Sequence, residues 1–162
     1  MASLPYLIQI TALKYKLEPS LVAAVIMQES SGNPNAFRFE WGFYRKYLKG
    51  KIQDDLPGFV PPANKCSWQT EKFARAVSWG LMQVMGETAR EYGYKGVLLT
   101  ELLKPEDNLE VGCKILSRCV EKTEGDLRRA LLRWNGGGNE QYPDEVLARI
   151  DNGEAARVLL AC

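Results

Sequence analysis

Apolar residues recur at three- and four-residue intervals along most of the chain, and runs of strict alternation are few, so the pattern predicts a mainly α fold. Residues 4 to 16 and 19 to 31 read as two helices, the second opened by Pro19 and Ser20 and closed by Gly32, Asn33 and Pro34. The clearest long helix spans residues 105 to 122, where Pro105, Glu106 and Asp107 suit the positive end of a helix dipole. Helices at 126 to 134, 143 to 151 and 153 to 161 complete the C-terminal part. Between residues 38 and 77 the periodicity loosens: FRFEWGFYRKYLKGK mixes aromatic with basic residues, and DDLPGFVPPANK is rich in turn formers. The expectation is an α-helical core interrupted by a long irregular excursion, with at most a small β element. There is no internal repeat or low-complexity tract, so residues 1–162 are expected to form a single domain.

Composition narrows the partners. A chain of 162 residues that is 46% hydrophobic and 25% charged is long enough to bury a core and polar enough to stay in water. Its formal charge of +1 gives no overall drive toward nucleic acid or an anionic membrane, so neither is expected as a partner. No stretch of 18 apolar residues occurs, which argues against membrane insertion. The N-terminus lacks a basic segment followed by an apolar run and a cleavage site, so no signal peptide is expected. That fits a chain released by another route or a domain of a larger exported protein.

The absence of histidine excludes more chemistry than any residue present. A Ser-His-Asp triad, a Cys-His pair, a His-ligated zinc and a His general base are all ruled out, leaving carboxylates, Lys, Tyr and Cys. Cys66, Cys113, Cys119 and Cys162 show no CxxC spacing and so make a weak case for metal or redox work. Cys113 and Cys119 lie on or beside the apolar stripe Leu109, Cys113, Leu116, Val120 and read as small core residues. The pairing of Cys66 with Cys162 is left open.

Glu29 is the carboxylate that needs an explanation. In the stretch AVIMQESSGNPNAF, residues 24 to 37, it is the lone charge, and on a helix it shares a face with Val22, Val25 and Ile26. It therefore continues a buried stripe. It also sits in the last helical turn, where the dipole disfavours negative charge, and no Lys or Arg occurs between Glu18 and Arg38. Both effects favour the protonated carboxyl, the form a glycosidase uses to protonate a leaving oxygen. The ordinary alternative is a solvated Glu at a helix end.

Four ordered blocks decide between these readings: ESSGNPNA at 29 to 36, SWGLMQVMGETA at 78 to 89, PEDNLEVGCKIL at 105 to 116 and RWNGGG at 133 to 138. In this order and approximate form the chain resembles soluble lytic transglycosylase domains, relatives of goose-type lysozymes, and looks most like their phage-type members. The resemblance covers almost the whole chain from about residue 5, apart from the excursion. It implies a lysozyme-like fold, peptidoglycan glycan strands as partner, cleavage between N-acetylmuramic acid and N-acetylglucosamine, action at the cell wall, and neither metal nor organic cofactor. A monomer is the default.

Carried over by position, the resemblance makes Glu29 the catalytic acid and base. It makes Gln83 a hydrogen-bonding partner for sugars and Met82 part of the same wall, with Gly80 allowing close approach of backbone to ligand. Leu81 and Val84 read as core, and Trp79 as either core anchor or cleft residue. RWNGGG departs from the family pattern: Trp134 stands where a tyrosine is usual, so an indole N–H replaces a phenol beside the catalytic carboxyl. Asn135 matches and is expected to contact sugar or backbone, and Tyr142 falls where a cleft tyrosine is common. Gly136 to Gly138 are a turn and not a phosphate loop, since no GK[ST] follows.

A transglycosylase needs one carboxyl, whereas an inverting hydrolase needs a second one ~6.5–9.5 Å away to activate water. Glu40 is the best-placed second carboxylate in sequence, ahead of Glu71, Asp54 and Asp55; its ordinary role would be an ion pair with Arg38 or Arg45. Two further readings carry less weight: a non-catalytic glycan-binding or phage structural module, and a nucleic-acid module using FRFEWGFYRKYLKGK. If that segment binds something, an extended glycan with stem peptides is the more natural partner.

Overall fold

The computed structural model describes residues 2–56 and 66–161. Cys162 and the proline-rich stretch 57–65 of the expected excursion lie outside the described residues. In chain order the elements are α1 (Leu4–Lys14), α2 (Pro19–Ser30), β1 (Phe37–Phe39), α3 (Trp41–Phe43) running into a π-helical turn at Tyr44–Leu48, and a 3-10 turn at Gln53–Asp55. There follow α4 (Trp68–Arg75), β2 (Val77–Trp79), β3 (Val84–Met85), α5 (Gly86–Glu91), a 3-10 turn at Leu99–Leu103, α6 (Pro105–Lys122), α7 (Leu127–Trp134), α8 (Tyr142–Asp151) and α9 (Glu154–Leu160). The fold is mainly helical with one small sheet among the described residues, as the pattern predicts. No described helix is long and apolar enough to cross a membrane.

The chain divides into two compact units, residues 1–32 with 112–162, and residues 33–111. In the first, α2 is the central helix. Every residue from Leu21 to Ile26 is buried, and the helix packs against α1, α8 and α9. Surrounded on all sides, it has no polar face until its final turn. Pro19 opens it, and Ser31 closes it in the left-handed region with its N–H on the Met27 carbonyl. Cys113 and Cys119 are buried in α6, as small core residues should be. Beyond α6, the Thr123 hydroxyl donates to the Cys119 carbonyl, and the Asp126 carboxylate accepts from the Arg129 N–H to start α7.

The second unit is built around β1-β2-β3, an antiparallel sheet in which Phe37 faces Trp79 and Trp79 faces Val84. The inward side of α4 is charged: Glu71, Lys72 and Arg75 are buried, while Phe73 is exposed. Arg75 donates to Glu71 Oε1 (3.2 Å) and to Glu87 Oε2 of α5 (3.0 Å). Arg90 donates to both Glu71 oxygens and to the carbonyls of Tyr94 and Gly96. Lys72 Nζ donates to the Lys51 carbonyl (3.0 Å). Such charges can be buried because each finds a partner. A small apolar cluster of Leu48, Leu56 and Ala76, flanked by Phe43, Tyr44 and Trp68, packs the remainder. The segment expected to wander from the core thus contains helices and an edge of the sheet.

Candidate active site

The end of α2 presents Glu29, half-buried, to two donors from the C-terminal part of the first unit. Trp134, the last residue of α7, donates its indole N–H to Glu29 Oε1 at 3.1 Å. Tyr142, the first residue of α8, donates its hydroxyl to the same oxygen at 2.5 Å. These are three of the residues singled out from the sequence, and they meet at one atom. Hydrogen bonds donated to a carboxylate favour its charged form, opposing the effects of burial and of the helix C-terminus. Tyr142 is itself buried. Burial first, then the Glu29 charge and the bond to it, push its phenol far above the ordinary tyrosine range. It therefore remains a donor to Glu29 and does not compete for the role of base.

The loop between the donors is fixed by local chemistry. Gly136 and Gly137 both have positive φ (74° and 77°), a conformation that L side chains rarely adopt. Asn135 donates its side-chain N–H to the Asn139 carbonyl (3.3 Å), and the Asn139 amide donates to Glu145 Oε2 (3.4 Å). Glu145 also accepts from Gln28 Nε2 (2.7 Å), and Arg149 donates to Gln28 Oε1 (2.9 Å). The residue before Glu29 thus ties α2 to α8 on the same stretch that supplies Tyr142. The sequence reading gave Gln28 no role, because a lone Gln beside a Glu carries no periodic signal.

The other expected site residues make their contacts within the second unit. Met82 is fully buried, and its backbone N–H donates to Asn108 Oδ1 (2.8 Å). The expectation that its side chain lines a ligand wall is therefore not met in this structure, since protein encloses it. Gln83 has positive φ (47°) and is half-buried; its amide donates to the carbonyls of Gly80 (2.9 Å) and Ala36 (3.2 Å). Its donor end holds the turn together. Glu40 Oε1 accepts from Arg38 Nε (2.7 Å) and Ser78 Oγ (3.0 Å), the ion pair anticipated as its ordinary role. Trp79 is a core anchor, buried with its indole N–H on the Ala74 carbonyl.

Asn108 is the residue that sequence reasoning passed over. Fully buried, it accepts from the Met82 N–H and donates to the carbonyls of Trp79 (2.7 Å) and Leu102 (2.9 Å). All three partners are backbone groups, brought together by the turn that follows β2 and the turn that precedes α6. The close approach at Gly80 is to this side chain: a Cβ there would lie 2.5 Å from Asn108 Nδ2 and from the Leu102 carbonyl oxygen, at φ +67°. The expected close approach to a ligand is taken up by the protein itself. A polar residue at the apolar stripe of α6, beside Leu109, was the available signal.

Among the described residues no group of three or more His, Cys, Asp or Glu side chains could hold a metal ion. The chain matches the family described as Transglycosylase SLT domain over residues 6–146. It is also 37% identical over 134 residues to an endolysin of Enterobacteria phage PRD1, an alignment covering 82% of this chain and 76% of the relative. No solved structure matches it significantly. With the family matched from α1 into α8, the chain belongs to the transglycosylase SLT domain family and is a peptidoglycan lytic enzyme.

Proposed function

We propose that this protein is a lytic transglycosylase that cuts the β-1,4 bond between N-acetylmuramic acid and N-acetylglucosamine, with Glu29 as its single acid and base. The observation that carries the reading is the carboxyl at the end of α2 with two neutral donors, Trp134 and Tyr142, on one of its oxygens. With Oε1 accepting both bonds, the acid proton belongs on Oε2. Glu29 gives that proton to the leaving glycosidic oxygen as the bond to C1 breaks, and the acetamido carbonyl of the muramic acid stabilises the charge left at C1. The Glu29 carboxylate then takes the proton of the 6-hydroxyl, whose oxygen bonds to C1 and closes a 1,6-anhydro ring. Glu29 ends protonated, ready for the next turnover. Asn135 and Gln83 are the proposed sugar contacts, and Trp134 and Tyr142 orient the carboxyl. The likeness to a bacteriophage endolysin supports a phage-encoded enzyme acting on the cell wall.

A hydrolase would need Glu40, or another carboxylate, as base for water. Glu40 is engaged by Arg38 in the ion pair that is its ordinary role, which favours the one-carboxyl chemistry. Mass spectrometry of muropeptides released from purified peptidoglycan tests the proposal, with Glu29→Gln as control. Products ending in 1,6-anhydro-muramic acid, absent with Glu29→Gln, are expected. Products one water heavier, with reducing ends, would overturn the transglycosylase reading in favour of hydrolysis; products from Glu29→Gln at the wild-type rate would remove Glu29 from the chemistry.

A further inference from the structure

The second unit carries an exposed aromatic patch that the proposed reaction does not use. Phe37 and Phe39 are two apart on β1 and so project from the same face. Phe37 stacks against Trp79, its partner across the sheet, with centroids 6.1 Å apart. Phe39 touches Trp41, Tyr44 and Phe73 at 5.6–6.0 Å, and Tyr44 stacks on both Trp41 and Phe73. Phe39, Trp41, Tyr44 and Phe73 form one cluster and Phe37 with Trp79 forms a second beside Phe39 on β1, yet Phe37 is 68% exposed, Trp41 57% and Phe73 50%. An apolar surface of this extent in water calls for a partner.

Charge identifies the partner's sign. Between residues 37 and 52 stand five basic residues (Arg38, Arg45, Lys46, Lys49, Lys51) against one acidic residue, Glu40, in a chain whose total is +1. Arg38 is paired with Glu40, while Arg45 and Lys46, which follow Tyr44 in the chain, are exposed, Lys46 with its ammonium over the Tyr47 ring. The patch thus offers flat ring faces next to cations. A peptidoglycan strand is complementary on both counts: its sugars present C–H faces to aromatic rings, and its stem peptides carry carboxylates. Rings from β1, α3, the π-helical turn and α4 that lean on Phe39 make a platform rather than the single projecting apolar face of a helix lying in a bilayer.

We infer that the aromatic patch of Phe37, Phe39, Trp41, Tyr44 and Phe73, with the exposed cations Arg45 and Lys46, is a second glycan-binding surface that holds the enzyme on insoluble peptidoglycan. The inference rests on peptidoglycan being the substrate, and its test reads binding rather than cleavage. Glu29→Gln protein, unable to cut under the proposed mechanism, is sedimented with purified insoluble peptidoglycan and compared with the same protein carrying Phe37→Ala and Trp41→Ala. Loss of two stacking rings is expected to weaken binding about tenfold or more. A second variant, Arg45→Glu with Lys46→Glu, alters exposed side chains alone and so tests the surface without touching the core. It is expected to bind less tightly and with a flatter salt dependence. A thermal melt confirms that each variant is folded.

Parent-like binding by both folded variants overturns the inference, and so does a loss confined to the charge-reversal variant. Losses seen with anionic lipid vesicles or single-stranded DNA while peptidoglycan binding is unchanged overturn it in favour of those partners. The product analysis is independent of these outcomes. Wild-type cleavage with ring-insensitive binding removes the surface and leaves the mechanism, whereas ring-dependent binding without cleavage does the reverse.

Discussion

Replacing Tyr142 by Phe removes one oxygen and keeps a ring that is almost fully enclosed, so the change isolates the bond to Glu29. A hydrogen bond to an ionised carboxylate contributes roughly 1.5–3 kcal/mol, and the Trp134 N–H at 3.1 Å remains as the second donor on that oxygen. If the pair fixes the carboxyl for proton transfer, kcat/KM for release of soluble muropeptides should fall about ten- to a hundredfold, at about 1.4 kcal/mol per decade. Removing a donor to the charged form should also move the limb of the pH–rate profile governed by Glu29 to higher pH. Loss of packing alone would leave that limb in place. An independent check uses the raised phenol of Tyr142. A folded-state value above the unfolded one means that its stability contribution is complete below about pH 10 and declines as pH rises beyond it, by roughly 1.4 kcal/mol per pH unit. Denaturant unfolding between about pH 9 and 11 should show this decline in the wild type and less of it in Tyr142→Phe. A variant within about twofold of wild-type kcat/KM, with an unmoved pH limb, would refute the idea that Tyr142 orients Glu29.

Other substitutions probe the framework of the second unit. Asn108→Ala orphans the Met82 N–H and the carbonyls of Trp79 and Leu102, and at roughly 1–3 kcal/mol for each unsatisfied group should cost at least about 3 kcal/mol by urea titration. A loss under about 1 kcal/mol would show that the turn holds without it. Gly80→Ala drives a Cβ against Asn108 and Leu102 at positive φ and should cost about 2–4 kcal/mol. Gly137→Ala, at positive φ with open space around it, should cost about 1 kcal/mol, so equal losses would contradict the steric account. Arg75→Met leaves the buried Glu71 and Glu87 carboxylates short of a cation and should destabilise by about 3–5 kcal/mol. Replacing Glu71 and Glu87 by Gln in the same protein should recover part of that loss in a mutant cycle, and additive losses would argue against a coupled network.

How much of this was legible depends on what each element buries. The helices at the two ends of the chain bury apolar stripes and are bounded by Pro, Gly and capping residues, and their expected limits fall within two residues of those found: 19 to 31 against Pro19–Ser30, and 105 to 122 against Pro105–Lys122. Helix α4 inverts the rule, burying Glu71, Lys72 and Arg75 while Phe73 stays in water, so a pattern that equates polar with exposed reads it as irregular. The strands are two or three residues long, too short for alternation to register. The same limit governs the site. Glu29 stands out because it breaks an apolar run, whereas Asn108 is bonded to backbone groups whose need for partners appears once the turn at Gly80 is folded.

The polarity of the donors at Glu29 bears on the proposed chemistry. A carboxyl that must be acid and then base within one turnover is poorly served by a fixed cation, which would stabilise the anion so strongly that the proton needed at the leaving oxygen is lost. Trp134 and Tyr142 are both neutral donors on the same oxygen. They fix orientation and temper the effects of burial and of the helix C-terminus without adding a formal charge. The substitution of an indole for a phenol at residue 134 keeps this balance, because an N–H that only donates can hold the carboxyl in either protonation state and can never accept its proton. Tyr142, with its phenol pushed upward by burial and by Glu29 itself, behaves in the same way over the pH range in which the enzyme works. On this argument Trp134→Phe should resemble Tyr142→Phe in kcat/KM, and placing a Lys at residue 134 should cost far more activity than either despite supplying a stronger donor.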